Sequence, residues 1–167
     1  IDALYASPLT RAQQTAAPLA ASRGLEAVVI EGIQEISAGV EEMSTDWRKY
    51  LEVLMSWAPD NLDVGLENGE TAREFLARFN AAVAQVEEAG HERVALVSHG
   101  AALRVWAITQ DPSVGMDNAH PLENTQWIVL NGSTADGWKI ERWGNYVVPA
   151  VGEPTIVEVE PDDTNPA

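Results

Sequence analysis

The sequence contains no cysteine. That excludes disulfides, thiolate nucleophiles and Cys-ligated zinc, and it fits a reducing compartment such as the cytoplasm. No apolar run approaches the roughly 20 residues that cross a bilayer as a helix, and no signal-peptide pattern is visible. Basic residues are scarce: ten Lys and Arg face 26 Asp and Glu, for a formal net charge of −16. Nucleic acid and anionic membrane both require a basic footprint, so neither is expected as a partner. A small phosphorylated metabolite stays open, because salt screens charges beyond about 8–10 Å and a local set of donors can dominate a pocket. Against so acidic a background, any arginine in a pocket is informative.

What is present is one domain's worth of chain: 167 residues, 46% hydrophobic and 22% charged. The chain is organised around Val94–Trp106. Residues 94–97 read as a buried strand, Ser98-His99-Gly100 interrupts it, and 101–109 has helix-forming composition. A strand that turns at once into a helix places His99 at the carboxyl edge of a sheet. The free N–H groups of the helix start, at Gly100 and Ala101, favour an anion there.

The other elements follow in order. Residues 1–6 read as a strand. Ser7-Pro8 has the pattern of an N-cap followed by proline at the first helical position. Leu9, Ala12, Ala16 and Leu19 share a helix face, Pro18 should bend or shorten that helix, and Gly24 should cap it. Residues 26–30 read as a second strand and 31–43 as an extended loop. Ser44 or Thr45 should cap a helix with Trp47, Tyr50, Leu51, Leu54, Met55 and Ala58 on its apolar face, ended by Pro59. Residues 71–89 carry the clearest helical stripe: Phe75, Leu76, Phe79, Ala82, Val83 and Val86. Segments 126–130 and 138–143 read as a hairpin around a glycine-containing loop. Trp47, Trp57, Trp106 and Trp127 fall on apolar patterns and are expected in the core. The acidic, Pro-rich stretch 149–167 reads as a tail, with 155–159 able to add an edge strand. This alternation predicts an α/β fold, with a mainly parallel sheet, helices on both faces and a C-terminal hairpin.

Three residues could meet on one rim of such a sheet. Arg11 follows the first strand in the first turn of a helix, where a cation opposes the helix dipole unless it has a partner. Glu35 lies in a loop after the second strand. His99 ends the third. An arginine fork suits phosphate, a histidine can donate to a phosphoryl oxygen, and a carboxyl group can move a proton to a leaving oxygen. Each also has a plain alternative. His99 as a plain cap of its strand, Arg11 paired with a surface carboxylate, and Glu31, Glu41 or Glu42 in place of Glu35 are the competing readings.

Four blocks then resemble the histidine phosphatase superfamily, also called phosphoglycerate mutase-like. Tyr5-Ala-Ser-Pro-Leu-Thr-Arg-Ala-Gln-Gln-Thr-Ala16 is similar to its phosphate-binding Arg block. Gln34-Glu-Ile-Ser-Ala-Gly39 is similar to its proton-donor block. Asn68-Gly-Glu-Thr71 is similar to a Gly-Glu-Ser turn that opens a helix, and Val97-Ser-His-Gly100 to its second histidine block. The blocks occur in family order over about residues 2–147. The resemblance implies phosphoryl transfer without metal or cofactor, on a small phosphorylated metabolite. It implies Glu35, His99 and Arg11 as catalytic residues, with Arg11, Gly100 and Ala101 holding the substrate.

One block is absent. No Arg-His-Gly occurs, and the other histidines, His91 and His120, fit exposed positions rather than the nucleophile's. The family's nucleophilic histidine is therefore expected upstream of Ile1, on a strand beside 94–97. The domain is read as 1–148, lacking its first strand and helix, so this segment alone is expected to expose an apolar seam and to aggregate or be molten. The short span between Glu35 and Gly69 favours a phosphatase of small phosphomonoesters. A phosphoglycerate mutase, a non-catalytic phosphate-binding relative and a piece of a larger chain with a further domain are the alternatives. Substrate and oligomeric state are not read from the sequence.

Overall fold

The computed structural model describes residues 1–115 and 122–148, and the backbone of 157–158. His120 and most of the expected tail lie outside the described residues. Two compact units are formed, Ile1–Val105 and Trp106–Ala167.

The first unit is built on three parallel strands, β1 (Ala3–Ala6), β2 (Ala27–Val29) and β3 (Val94–Val97), in the order β2-β1-β3. Central β1 is buried along its whole length. β3 was expected to be buried, but all four of its residues are only half-buried. Its partner is β1 alone among the described residues, so its apolar side chains are covered from one side. Leu4, Ala6 and Ala16 form a core with Leu19, Leu25, Ala95 and Val97 packed on it.

Helix α1 (Thr10–Arg23) departs from its sequence pattern at its N-terminal cap and runs on past Pro18. Leu9, not Ser7, is the cap residue, and it makes no side-chain cap bond. The Ser7 hydroxyl is turned inward instead, as described below. Pro18 neither ends nor shortens the helix. It sits on the exposed side, where the carbonyl it leaves without an N–H partner can face water. Gly24 closes the helix with φ 62°, as its position predicted.

Helix α2 (Arg48–Ser56) buries only Tyr50 and Leu54. Trp47, Leu51 and Met55, expected in the core, are exposed, as is Trp127. Trp47 itself is the helix cap residue, with Asp46 accepting the Arg48 N–H at 3.1 Å, so the cap lies beyond Ser44 and Thr45. Helix α3 (Ala72–Glu88) matches its pattern most closely. Thr71 and Glu74 form a reciprocal capping box, and Phe75, Phe79, Ala82, Val83 and Val86 are buried. Phe75 and Phe79 are fully buried, each worth roughly 1.5–3 kcal/mol of transfer free energy. Helix α4 (Gly100–Gln110) follows β3 after two residues.

In the second unit, β4 (Ile128–Ser133), β5 (Gly137–Trp143), β6 (Tyr146–Val147) and β7 (Val157–Glu158) form an antiparallel sheet in sequence order. The hairpin strands run further into the predicted loop than expected. Gly132 makes this possible: a Cβ there would meet the Gly137 carbonyl oxygen at 2.1 Å. Ala107, Ile108, Val114, Ile140 and Trp143 form the core. Asp111 is buried just after α4. Its carboxylate accepts from Ser113 Oγ at 2.6 Å, Lys139 Nζ at 3.1 Å and the buried Ile140 N–H at 3.0 Å. Burial works against its charge, but these bonds together hold its carboxyl below the ordinary aspartate range.

Replacing Asp111 by Ala strands the Ile140 N–H and leaves Lys139 without its carboxylate. The expected loss is roughly 2–4 kcal/mol, read by denaturant unfolding of the full-length protein. A change near zero would show that water replaces the carboxylate at no cost.

Candidate active site

The parallel register of β1 and β3 brings two chain exits together. Ala6 lies opposite Val97, and the Ser7 N–H bonds the Val97 carbonyl at 2.9 Å. Ser7 and His99 therefore emerge side by side at the carboxyl edge, with Arg11 in the first turn of α1. Arg11 Nε donates to His99 Nδ1 at 3.1 Å. A guanidinium nitrogen only donates, so Nδ1 is the acceptor and the ring proton resides on Nε2. That proton is donated to Ser7 Oγ, 2.9 Å away. Ser7 is completely buried, and its oxygen also accepts the Leu9 N–H at 3.3 Å. The bond to His99 explains why Ser7 is not the cap of α1. Burial first, then the charges of Arg11 and Arg78, push the His99 pKa down to about 4. The imidazole is neutral with a fixed tautomer.

Glu35 approaches from the loop after β2. Its carboxyl group accepts from the Ala102 N–H at 2.8 Å, the Ala101 N–H at 3.3 Å and the Ile36 N–H at 3.0 Å. Two of these donors are the first turn of α4, where the helix dipole favours negative charge. Burial nevertheless dominates and raises the Glu35 pKa above its ordinary value, with the backbone bonds and Arg11 pulling the other way. The side chain keeps its proton to higher pH than an exposed glutamate.

The Glu35 loop is held by Arg78, which sequence reasoning did not single out, together with Glu70, Ser98 and Gly39 of the quoted blocks. Arg78 of α3 donates from Nη1 to the carbonyls of Gly32 at 2.7 Å and Gln34 at 3.0 Å, and from Nη2 to the Glu35 carbonyl at 3.0 Å. Its other face meets Glu70, Nε to Oε1 at 2.5 Å and Nη2 to Oε2 at 2.7 Å. Glu70 also accepts the Ser37 N–H at 2.9 Å. Ser98 Oγ donates to the Ile33 carbonyl at 2.7 Å. Gly39 lets the backbones meet: a Cβ there would lie 2.2 Å from the Glu67 carbonyl oxygen. A signal for Arg78 existed, because it sits between Phe75 and Phe79 on the buried side of the most regular helix.

The structure thus brings Arg11, His99, Glu35, Gly100 and Ala101 to one sheet edge. Gly100 is exposed at the helix start, with open space around its Cα, while the Ala101 N–H is engaged by Glu35. The competing glutamates point elsewhere. Glu41 pairs with Lys49 at 2.9 Å, Glu42 accepts the Ala38 N–H at 2.9 Å, and Glu31 bonds Gln34. His91 is exposed, away from these contacts. Among the described residues, no group of three His, Asp or Glu is arranged to hold a metal ion, and no helix is long and apolar enough to cross a membrane.

Comparison with known proteins gives a family match over residues 1–146, to the histidine phosphatase superfamily (branch 1). The PE-PGRS family protein PE_PGRS11 of Mycobacterium tuberculosis is 28% identical over 94% of this chain. "Putative phosphoserine phosphatase 2" of Hydrogenobacter thermophilus is 27% identical over 71% of it. The chain spans 30% and 59% of the lengths of these two relatives. Among solved structures, mycobacterial glucosyl-3-phosphoglycerate phosphatase superposes with a TM-score of 0.64 at 22% identity, covering 84% of this chain and 74% of that one. The alpha-ribazole phosphatase of Shigella flexneri gives 0.59 at 23% identity, covering 81% and 70%. At these identities the likeness shows the fold.

The depressed pKa of His99 has a consequence for stability. Between its ordinary value of 6.5 and about 4 the unfolded chain binds a proton that the folded protein does not. Stability is therefore lost as pH falls through that window. Denaturant unfolding of the full-length protein at pH 7 and pH 4.5 should show a smaller loss for His99→Gln than for the native protein. Equal losses would mean that His99 is not a group responsible.

Proposed function

This chain belongs to the histidine phosphatase superfamily, branch 1, and we propose that it supplies the phosphate-holding and proton-donating part of a phosphatase for small phosphomonoesters. The reaction proceeds through a phosphohistidine. The observation that carries the proposal is the joint placement of a neutral, tautomer-fixed His99, the Arg11 guanidinium and a proton-retaining Glu35 at one sheet edge. The relative named a phosphoserine phosphatase and the phosphatases among the superposed structures support this reading over a mutase. So does the short span from Glu35 to Gly69. A cytoplasmic setting is proposed on the absence of cysteine alone.

In this reading the nucleophilic histidine belongs to the full-length protein outside this sequence. Its nitrogen attacks phosphorus, an N–P bond forms and the ester P–O bond breaks. Glu35 gives its proton to the leaving oxygen, and the resulting carboxylate takes a proton from the water that then attacks phosphorus. The second step forms a P–O bond, breaks N–P and releases phosphate. Arg11 donates to the equatorial oxygens as charge spreads over them, and the Nε2–H of His99 does so by exchanging its bond to Ser7 Oγ for one to the substrate. The raised pKa of Glu35 suits the first step. Activity should fall as pH rises through that pKa, because the acid form is lost.

Two substitutions in the full-length protein test the roles. His99→Ala should lower kcat at least about 100-fold while leaving the circular dichroism close to native. Glu35→Gln should lower kcat by about 10²–10⁴-fold on alkyl phosphates; on 4-nitrophenyl phosphate, whose leaving group needs no acid, the first-turnover burst of nitrophenol should survive while steady-state turnover falls with loss of the base. A native rate in either variant on an alkyl phosphate would overturn that residue's assignment.

A further inference from the structure

We propose that Arg78, clamped by Glu70, is a positioning residue for this reaction: its guanidinium fixes the backbone on both sides of Glu35 and so aims the Glu35 carboxyl group at the start of α4. The inference rests on the reading of Glu35 as the acid, and it adds a second pair of residues to the machinery.

The guanidinium has five N–H donors, and five bonds account for all of them. Nε donates once, to Glu70. Nη1 donates to the Gly32 and Gln34 carbonyls, and Nη2 to the Glu35 carbonyl and Glu70. Three of the five acceptors are main-chain oxygens, at Glu35 and at two residues just before it. The carboxylate takes two parallel bonds in the bidentate geometry that fixes orientation as well as distance. An ammonium group keeps the charge but lacks the planar fork, so lysine is not an equivalent here.

The clamp is itself rigidly mounted. Arg78 stands over the Phe75 ring, 5.1 Å from its centroid, on a helix fixed by the Thr71–Glu74 capping box. The Arg78 and Glu70 side chains are only 24% and 20% exposed, so solvent screens their bonds weakly. Glu70 reaches the far side of Glu35 through the Ser37 N–H, while its own N–H bonds the Ser37 carbonyl at 3.1 Å. The backbone is thus pinned before and after Glu35, and the carboxyl group has one short path to Ala101 and Ala102. The same cation faces His99, along with Arg11, and helps keep that ring neutral.

The test uses the full-length protein with Arg78→Lys, Arg78→Met and Glu70→Gln. Two readouts are followed: the pH dependence of the Ala101 and Ala102 amide resonances, and kcat and KM on an alkyl phosphate and on 4-nitrophenyl phosphate. In the native protein both amides titrate with Glu35, and they cease to do so in Glu35→Gln. In the Arg78 variants that titration is expected to be lost or strongly reduced. Their kcat on the alkyl phosphate should fall 10- to 100-fold with KM within about threefold, and the first-turnover burst of nitrophenol from the nitrophenyl ester, which needs no acid, should be nearly unaffected. Arg78→Met should also raise the His99 titration midpoint, and Arg78→Lys should leave it, separating charge from fork geometry. A native amide titration in Arg78→Lys would overturn the proposal, as would equal losses on both esters in the first-turnover release of the alcohol or phenol. If Arg78→Met does not fold, Arg78→Lys and Glu70→Gln decide. An inactive native protein would refute the phosphatase reading, yet the amide titration would still decide whether Arg78 aims Glu35.

Discussion

The contact between the Glu35 carboxyl group and the first N–H groups of α4 is the one on which the site depends. It places a carboxyl group with a raised pKa beside the turn that carries His99. Its energetics are opposed terms: burial disfavours the carboxylate, while the helix start and Arg11 favour it, and burial is the larger. The result is a group that holds its proton to higher pH than an exposed glutamate and can still accept one back. The same donors are those that an incoming anion would seek, so substrate and carboxyl group compete for the Ala101 N–H. A reaction that begins with Glu35 protonated relieves that competition, because the neutral acid has less claim on the helix start.

His99 is managed by the opposite logic. Arg11, Arg78 and burial all disfavour a second proton, and the Arg11–His99–Ser7 chain fixes which nitrogen carries the first. A neutral, singly oriented donor next to a permanent cation suits the oxygens of a phosphoryl group, whose charge is shared among several positions. These devices use short-range bonds inside a protein of net charge −16. The acidic balance of the whole chain therefore says little about the local field where Arg11, Arg78 and His99 converge.

Much of the fold was legible in the sequence because it rests on periodicity. The α3 stripe and the strand–turn–helix at Val94–Trp106 appear where their patterns place them. Local caps and exposure were less legible, since tertiary contacts redirect them. Ser7 has the residue type of an N-cap, but its hydroxyl serves His99, a partner 92 residues away. Trp47, Leu51 and Met55 follow a helical apolar spacing, yet α2 buries the neighbouring stripe of Tyr50 and Leu54. In the site, Arg11, Glu35 and His99 stand on motifs and could be named. Arg78 stands on none. Its place between Phe75 and Phe79 on the buried side of α3 set it apart, but its role depends on three carbonyls that only the folded loop presents.

The most direct measurement is to quench the full-length protein during turnover of a small phosphomonoester and look for phosphorus bound to the protein. The account predicts an acid-labile, base-stable phosphoryl group on a histidine other than His91, His99 or His120, accumulating further in Glu35→Gln when a good leaving group allows it to form. Turnover with no covalent phosphoryl group on histidine, or with the label on one of those three residues, would contradict it.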